Sequence, residues 1–147
     1  MKIGKGCAIF CNIMTPEPYL IELGDNVTVA GNVSFVTHDN SSIKVNSSKA
    51  NLFGYIKIGN NVFIGQNSTI MYGVTIPNDV IIASGSVVVN SFSREGIIIG
   101  GNPARIIGSW DSFAERVEYF GMGQKEAKER AQSGDMSKFI TRKIKDE

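Results

Sequence analysis

The chain contains a single histidine, His38, which is followed by Asp39 and a run of asparagine and serine side chains. An imidazole titrates near neutral pH, so it can take a proton from a hydroxyl group as a general base. Asp39 can orient the ring or contact a substrate, and the asparagines and serines can hydrogen-bond hydroxyl groups. These residue types in this order fit proton abstraction from a hydroxyl-bearing acceptor.

Other classes of site have less support in the sequence. Cys7 and Cys11 are too few for a disulfide scaffold or a four-cysteine zinc site, and with one distant histidine they do not complete a zinc ligand set. The net charge of +1 does not indicate a nucleic-acid partner. No run of about 18 apolar residues is present, so we expect no membrane span. We therefore expect no metal, and a cytoplasmic location.

A six-residue repeat is the main signal for the fold. From Ile58 to Val88 an aliphatic residue recurs at every sixth position, and a small or β-branched residue follows four places after most of them. This period fits neither an α-helix nor an antiparallel meander. It predicts a three-sided solenoid of short parallel strands, in which three successive repeat units complete one coil. The repeated aliphatic side chains then point inward and stack from coil to coil.

The repeat is interrupted once, next to the histidine. Leu23 and Ile58 occupy equivalent places in the repeat, but the sequence between them exceeds one coil by almost the length of another. The extra segment is polar, so we predict a loop over residues 39–55 that is extruded from the solenoid. Long loops on rigid scaffolds usually carry function, and His38 stands at the root of this one.

The repeat ends near residue 108. Residues 109–147 hold 16 of the 29 charged side chains and lack the six-residue period. Trp110, Phe113, Val117 and Phe120 have the spacing of one helix face, a polar helix is predicted over residues 124–132, and a last short stretch contains Phe139 and Ile144. We therefore predict two regions, a solenoid over residues 1–108 and a C-terminal helical cap over residues 109–147.

The six-residue period, the histidine at the loop and the run Gly100-Gly101-Asn102-Pro103-Ala104-Arg105 together resemble the hexapeptide-repeat acyltransferases. Within them, the chain most resembles the maltose/galactoside O-acetyltransferase-like branch, and the resemblance covers about residues 3–108. It implies an all-β fold, a left-handed parallel β-helix with an extruded loop and a short C-terminal helical segment. It also implies a homotrimer with active sites between neighbouring subunits.

The resemblance assigns roles to individual residues. It implies that His38 is the general base and that Asn12 faces the acceptor. Acetyl-CoA is the implied co-substrate, held by residues at stacked corners and near the end of the repeat: Gly65, Gln66, Ser84, Gly85, Asn90, Pro103 and Arg105. Gln66 and Ser84 are separated by one coil. Asn90 stands where many members have a lysine, which leaves Lys57, Arg94 or Arg105 to meet the coenzyme phosphates.

The function expected from these features is O-acetylation of a sugar or a polysaccharide precursor, by direct attack of the acceptor hydroxyl in a ternary complex. Two alternatives stay open at this point. An antibiotic (xenobiotic) acetyltransferase would have a more apolar acceptor cleft. A non-catalytic β-solenoid that serves as a binding module would need neither the histidine nor a coenzyme site.

Overall fold

The structure is a computed structural model that describes residues 1–143 and 145. It divides the chain into a first unit, Met1–Trp110, and a second unit that begins at Asp111. This division lies slightly beyond the predicted end of the repeat at residue 108.

The first unit is built from short strands in three main sheets. One sheet contains, in spatial order, β1 (Lys2–Ile3), β3 (Ile21–Leu23), β8 (Ile56–Ile58) and β11 (Thr75–Ile76). The next contains β2 (Ala8–Ile9), β4 (Thr28–Val29), β9 (Phe63–Ile64), β12 (Val80–Ile82), β14 (Ile97–Gly101) and β15 (Ala104–Ser109). The third contains β5 (Ser34–Phe35), β10 (Thr69–Ile70) and β13 (Val87–Val88). From β3 to β5 and again from β8 to β13, consecutive strands visit the three sheets in rotation, and pairing within these sheets is parallel except between β14 and β15.

The register of these sheets follows the six-residue repeat. Ile58 pairs with Ile76, and Ile64 pairs with Ile82, each one full coil further along the chain. Across the interruption, Leu23 pairs with Ile58, so the extra residues leave the stacking of the coils intact. The repeated aliphatic side chains are buried. Each such side chain contributes about 1.5–3 kcal/mol on burial, which gives this thin unit a continuous core.

The extra segment forms an arm between two neighbouring coils. Its ends pair as an antiparallel ladder of β6 (His38–Asp39) and β7 (Leu52–Phe53), and a 3₁₀ helix over Asn40–Lys44 follows β6. The sequence predicts a polar loop here, and the paired ends are a difference from that prediction. The ladder forms because the arm leaves and re-enters the solenoid side by side.

The first coil lacks one of its three strands. Within the described residues it contributes β1 and β2 to two sheets, but the third sheet ends at β5. The missing strand would lie near Thr15-Pro16-Glu17-Pro18, where the two prolines have no backbone N–H to donate to a neighbouring strand. The chain instead enters a 3₁₀ helix at Pro18–Leu20. This detour determines where Glu17 lies.

The second unit contains the helices α1 (Trp110–Phe120) and α2 (Gln124–Ser133). Gly134 ends α2 in the left-handed conformation, with φ of 77°, and its N–H donates to Ala131 O. None of the helices in the described part of the chain is long and apolar enough to cross a membrane. Ile144 lies outside the described residues, and the capping role of this unit stays a prediction.

Candidate active site

The histidine is held by a carboxylate from the first coil. Glu17 Oε2 lies 2.9 Å from His38 Nδ1, and the Oγ1 hydroxyl of the buried Thr37 donates to the same oxygen at 2.6 Å. Thr37 Oγ1 also lies 2.7 Å from Thr15 Oγ1, at the start of the detour. Thr15 and Glu17 from the detour of the first coil, and Thr37 and His38 from the segment after β5 in the second coil, therefore form one polar cluster.

This cluster sets the tautomer of the neutral imidazole. The hydrogen bond from Thr37, followed by smaller contributions from His38, lowers the pKa of the Glu17 carboxyl. A carboxylate that is ionised at neutral pH only accepts hydrogen bonds, so Nδ1 must carry the proton it donates to Glu17. The lone pair of neutral His38 is then on Nε2. The His38 side chain is 32% exposed, and a free lone pair on a partly exposed imidazole is what general-base chemistry requires.

Asp39 is adjacent to His38 in β6, but its hydrogen bonds are made to other residues, so the roles expected for it stay predictions. Its Oδ1 accepts the N–H of Ser41 at 2.7 Å, which caps the 3₁₀ helix of the arm. Its Oδ2 accepts the Tyr72 hydroxyl at 3.2 Å. The hydrogen bonds from Ser41, with a smaller one from Tyr72, lower the pKa of Asp39. The side chain is directed away from its neighbour because adjacent residues of a strand face opposite sides.

An aromatic ring borders the imidazole on the arm. Phe53 is the direct cross-strand partner of His38, and the two ring centroids are 5.9 Å apart with an angle of 47° between the planes. The Phe53 ring is more than half exposed. His38 is thus fixed through Nδ1 by Glu17 and flanked by an apolar surface that is open to solvent.

Asn12 lies in an open cavity of about 870 Å³ that also reaches Gln66. The cavity runs past the corner that follows β2 and along β5, at the edge left by the missing strand. Its other lining residues come from these segments: Phe10, Cys11, Met14, Gly31, Asn32 and Val33–Val36. Asn12 and Gln66, predicted from different coils, are therefore brought to one surface.

Four predicted coenzyme residues, Gly65 and Gln66 in one coil and Ser84 and Gly85 in the next, lie one above the other and form what we call the stacked corner. The N–H of Gly85 donates to Gln66 O at 2.8 Å, and Gln66 and Ser84 are both exposed. A Cβ on Gly65 would come within 2.5 Å of the backbone nitrogen of Ser84, so this close approach requires glycine. Gly85 has a positive φ of 72°.

The remaining predicted residues occupy other places. Pro103 and Arg105 belong to the turn and strand after β14, and the turn is tied to the corner because Gly101 N–H donates to the buried Ser86 Oγ at 3.3 Å. Asn90 follows β13, so it lies at the opposite end of the third sheet from Ser84. His38 likewise follows β5. One chain therefore places His38 and the stacked corner at opposite ends of the third-sheet strands.

Glu17 and Thr37 were not predicted as site residues. Glu17 and Thr37 are distant in sequence, and Phe53 becomes a neighbour of His38 only through the ladder of the arm. A signal for Glu17 does exist, because Pro16-Glu17-Pro18 interrupts the repeat in the first coil. A carboxylate at such an interruption marks a place where the chain departs from regular stacking.

Comparison with known proteins identifies the family. Residues 55–90 match the family described as bacterial transferase hexapeptide (six repeats). The chain is 44% identical over 122 residues to protein CapG of Staphylococcus aureus, a match that covers 80% of this chain and 70% of CapG. The chain belongs to the hexapeptide-repeat acyltransferases. The predicted family and the predicted enzyme class are thus confirmed.

Solved structures place this acyltransferase near sugar acetyltransferases. It is similar to a maltose O-acetyltransferase from Clostridium difficile, with 29% identity, a TM-score of 0.63, and coverage of 74% of this chain and 68% of that one. It is also similar to a hexapeptide-repeat acetyltransferase of Vibrio cholerae in complex with acetyl coenzyme A, with 28% identity, a TM-score of 0.60, and coverage of 74% and 59%. The maltose/galactoside O-acetyltransferase-like branch is therefore the correct one.

Proposed function

We propose that this acyltransferase transfers an acetyl group from acetyl-CoA to a hydroxyl group of a sugar or a polysaccharide precursor, with His38 as the general base. The observation that carries the proposal is the hydrogen bond between Glu17 and His38 Nδ1, which leaves Nε2 as the basic nitrogen. The Thr37 hydroxyl keeps the Glu17 carboxyl ionised, so Glu17 also stabilises the imidazolium that forms during proton transfer.

The chemistry of this chain is then proton transfer and positioning. When bound, acetyl-CoA supplies the thioester carbonyl that the acceptor oxygen attacks. Nε2 of His38 takes the acceptor proton as the oxygen–carbon bond forms, and the same proton is then donated to the departing thiolate. A base in this role contributes roughly 10²–10⁴-fold to the rate. Attack is direct, within a ternary complex, and Asn12 positions the acceptor.

The stacked corners fit the pantetheine arm of acetyl-CoA. A narrow amide-containing chain requires exposed backbone without bulky side chains. Gln66, Ser84 and Gly85 are exposed at the stacked corner, and the buried Gly65 lets the Ser84 backbone approach closely. We assign Gly65, Gln66, Ser84 and Gly85 to the arm. Arg105 is exposed and is assigned to a phosphate, because its guanidinium matches phosphate geometry. Pro103 completes this proposed set. Asn90 lies at the opposite end of the third sheet, so we assign it a neutral contact with the coenzyme held by a neighbouring subunit.

The separation of the proposed base from the stacked corner supports a site shared between subunits, which we propose to be those of a homotrimer of left-handed β-helices. Both groups are needed for one reaction, yet they lie at opposite ends of the third-sheet strands in one chain. A neighbouring subunit that presents its stacked corner to His38 would complete the site. Mixing two inactive variants, His38→Ala and Gly65→Val, should then restore activity in hybrid oligomers. An absence of any recovery in proven hybrids contradicts shared sites.

A thiol-release assay tests the proposed function directly. We expect His38→Ala to fold normally by circular dichroism, to bind acetyl-CoA in calorimetry as the wild type does, and to turn over roughly 10²–10⁴-fold more slowly. Acceptors would be screened as a panel of free sugars and nucleotide sugars. Unchanged turnover in His38→Ala removes this residue as the base, and a lack of acetyl-CoA binding by the wild type removes the proposed donor.

A further inference from the structure

The arm that carries Phe53 is attached to the solenoid at a turn of the third coil. Tyr72 lies in this turn, after β10, and its hydroxyl donates to Asp39 Oδ2 at 3.2 Å. The other oxygen of the same carboxylate accepts the N–H of Ser41 at 2.7 Å. One carboxylate thus connects the start of the arm, its 3₁₀ helix and the solenoid turn.

A second contact joins the end of the arm to the same turn. The N–H of Gly54 donates to Thr37 O at 3.2 Å, which closes the base of the arm. A Cβ on Gly54 would collide with the backbone nitrogen of Gly73, so the arm's backbone lies directly on the turn. The arm is therefore held at both its ends, by Tyr72 at Asp39 and by Gly73 at Gly54.

We propose that Tyr72 is a positioning residue, which anchors the arm through Asp39 and thereby holds His38 against Phe53. Asp39 follows His38 in β6, so a restraint on its side chain also restrains the strand that carries the base. The inference rests on the proposed function for its effect on the rate, because His38 must be the base for its position to matter. The anchor itself is a statement about structure alone.

The chemistry of the two partners suits a permanent anchor. The hydrogen bond with Asp39 raises the pKa of the Tyr72 hydroxyl, and hydrogen bonds from Ser41 and Tyr72 lower the pKa of Asp39. The hydroxyl therefore keeps its proton and the carboxylate keeps its charge over the neutral range. A hydrogen bond to a charged acceptor is stronger than one between neutral groups.

Limited proteolysis measures the anchor without any substrate. Trypsin cuts after Lys44 and Lys49, which are exposed on the arm, and the rate of cutting follows the population of the released arm. We expect Tyr72→Phe to increase cleavage at these two sites roughly tenfold, as measured by mass spectrometry. Tyr119→Phe is the matched control, because it makes the same change on an exposed tyrosine of α1. Equal arm cleavage in the wild type and Tyr72→Phe overturns the proposal.

Kinetics and a double-mutant cycle test the positioning role. Asp39→Ser keeps a residue that caps helices but is too short to reach Tyr72, so it removes the anchor and retains the cap. We expect each single variant to lower kcat on the order of tenfold, with the KM for acetyl-CoA unchanged, and the double variant to equal the single ones. Additive losses, or a change only in the KM for the acceptor, overturn the proposal because they indicate separate roles or a substrate contact.

The two proposals fail in different experiments. Failure of the proposed function appears as unchanged turnover in His38→Ala, whereas failure of the anchor appears as unchanged arm cleavage in Tyr72→Phe.

Discussion

Glu17 and His38 belong to different coils, and Glu17 Oε2 lies 2.9 Å from His38 Nδ1. The contact joins two successive coils at a place where the first coil has no strand in the third sheet. A regular strand at this place would present alternating side chains to the core and to solvent. The detour instead presents a carboxylate to the histidine.

Replacing the carboxylate with an amide should impair catalysis without unfolding the protein. In Glu17→Gln the amide can donate to Nδ1, which moves the imidazole proton to Nε2 and removes the basic lone pair. We expect kcat to fall roughly 10- to 10³-fold while the KM for acetyl-CoA stays constant. The measurement is steady-state thiol release over a range of acetyl-CoA concentrations.

Glu22→Gln provides the control for this prediction, because the exposed Glu22 side chain of β3 forms a surface ion pair with the exposed Lys2. We expect it to retain wild-type kcat, since a surface ion pair contributes little. Equal kcat in Glu17→Gln and the wild type would show that Glu17 does not set the tautomer of His38.

The same carboxylate should make stability depend on acid. Because folding lowers the pKa of Glu17 from its ordinary 4.5, its contribution is complete above that value and is lost as the pH falls through the lower folded-state pKa. Denaturant titrations at neutral pH and in acid below the ordinary pKa should therefore show that wild type is more stable than Glu17→Gln at neutral pH and that the difference shrinks in acid. A difference that grows in acid would reverse the assigned sign.

Adding a methyl group at Gly65 of the stacked corner should weaken both acetyl-CoA binding and the stability of the solenoid. Gly65→Ala would place a Cβ within 2.5 Å of the Ser84 nitrogen, so the coils must shift apart and the proposed site changes. We expect weaker acetyl-CoA binding in calorimetry, on the order of tenfold, and a lower Tm. Gly31→Ala is the control for Tm, since the nearest atom to its added Cβ is 4.0 Å away. An equal Tm for both variants would contradict the close approach of the coils.

The stacked core should respond in proportion to the volume removed. Ile64 is fully buried between Val29 and Ile82 of the adjacent coils. We expect Ile64→Val to lower the free energy of unfolding by about 0.5–1.5 kcal/mol and Ile64→Ala by about 2–5 kcal/mol, measured by denaturant titration. Similar small losses in both variants would indicate that the neighbouring coils collapse into the space.

The parts of the structure that follow from a local period were predictable. The repeat is visible in the sequence and sets pairs such as Ile58 and Ile76 one coil apart. The interruption of the repeat is visible too, and it places His38 at the start of the arm. The polar cluster was not predictable in this way. Glu17 and Thr37 meet only because two coils stack around an interruption, and no period describes an interruption.

Asp39 shows a second limit of sequence analysis. Its place directly after His38 suggested that it orients the imidazole, but adjacent residues of a strand face opposite sides, so the two side chains are directed apart. Its actual partner, Tyr72, lies in the next coil, far beyond the arm. Contacts of this kind depend on how an arm folds back, which is decided by the three-dimensional path.

The constant register of the later coils means that the length of this enzyme is adjustable in whole steps. Duplicating one complete coil, such as the one that contains β11, β12 and β13, would lengthen the solenoid by one coil. The contacts of Glu17, His38 and Tyr72 would not change. An insertion that forms part of the coils, and is not extruded as the arm is, would have to be one whole coil long. Any other length would shift every later corner away from the corner stacked below it. Evolution can therefore lengthen the column of stacked corners without changing the cluster around His38.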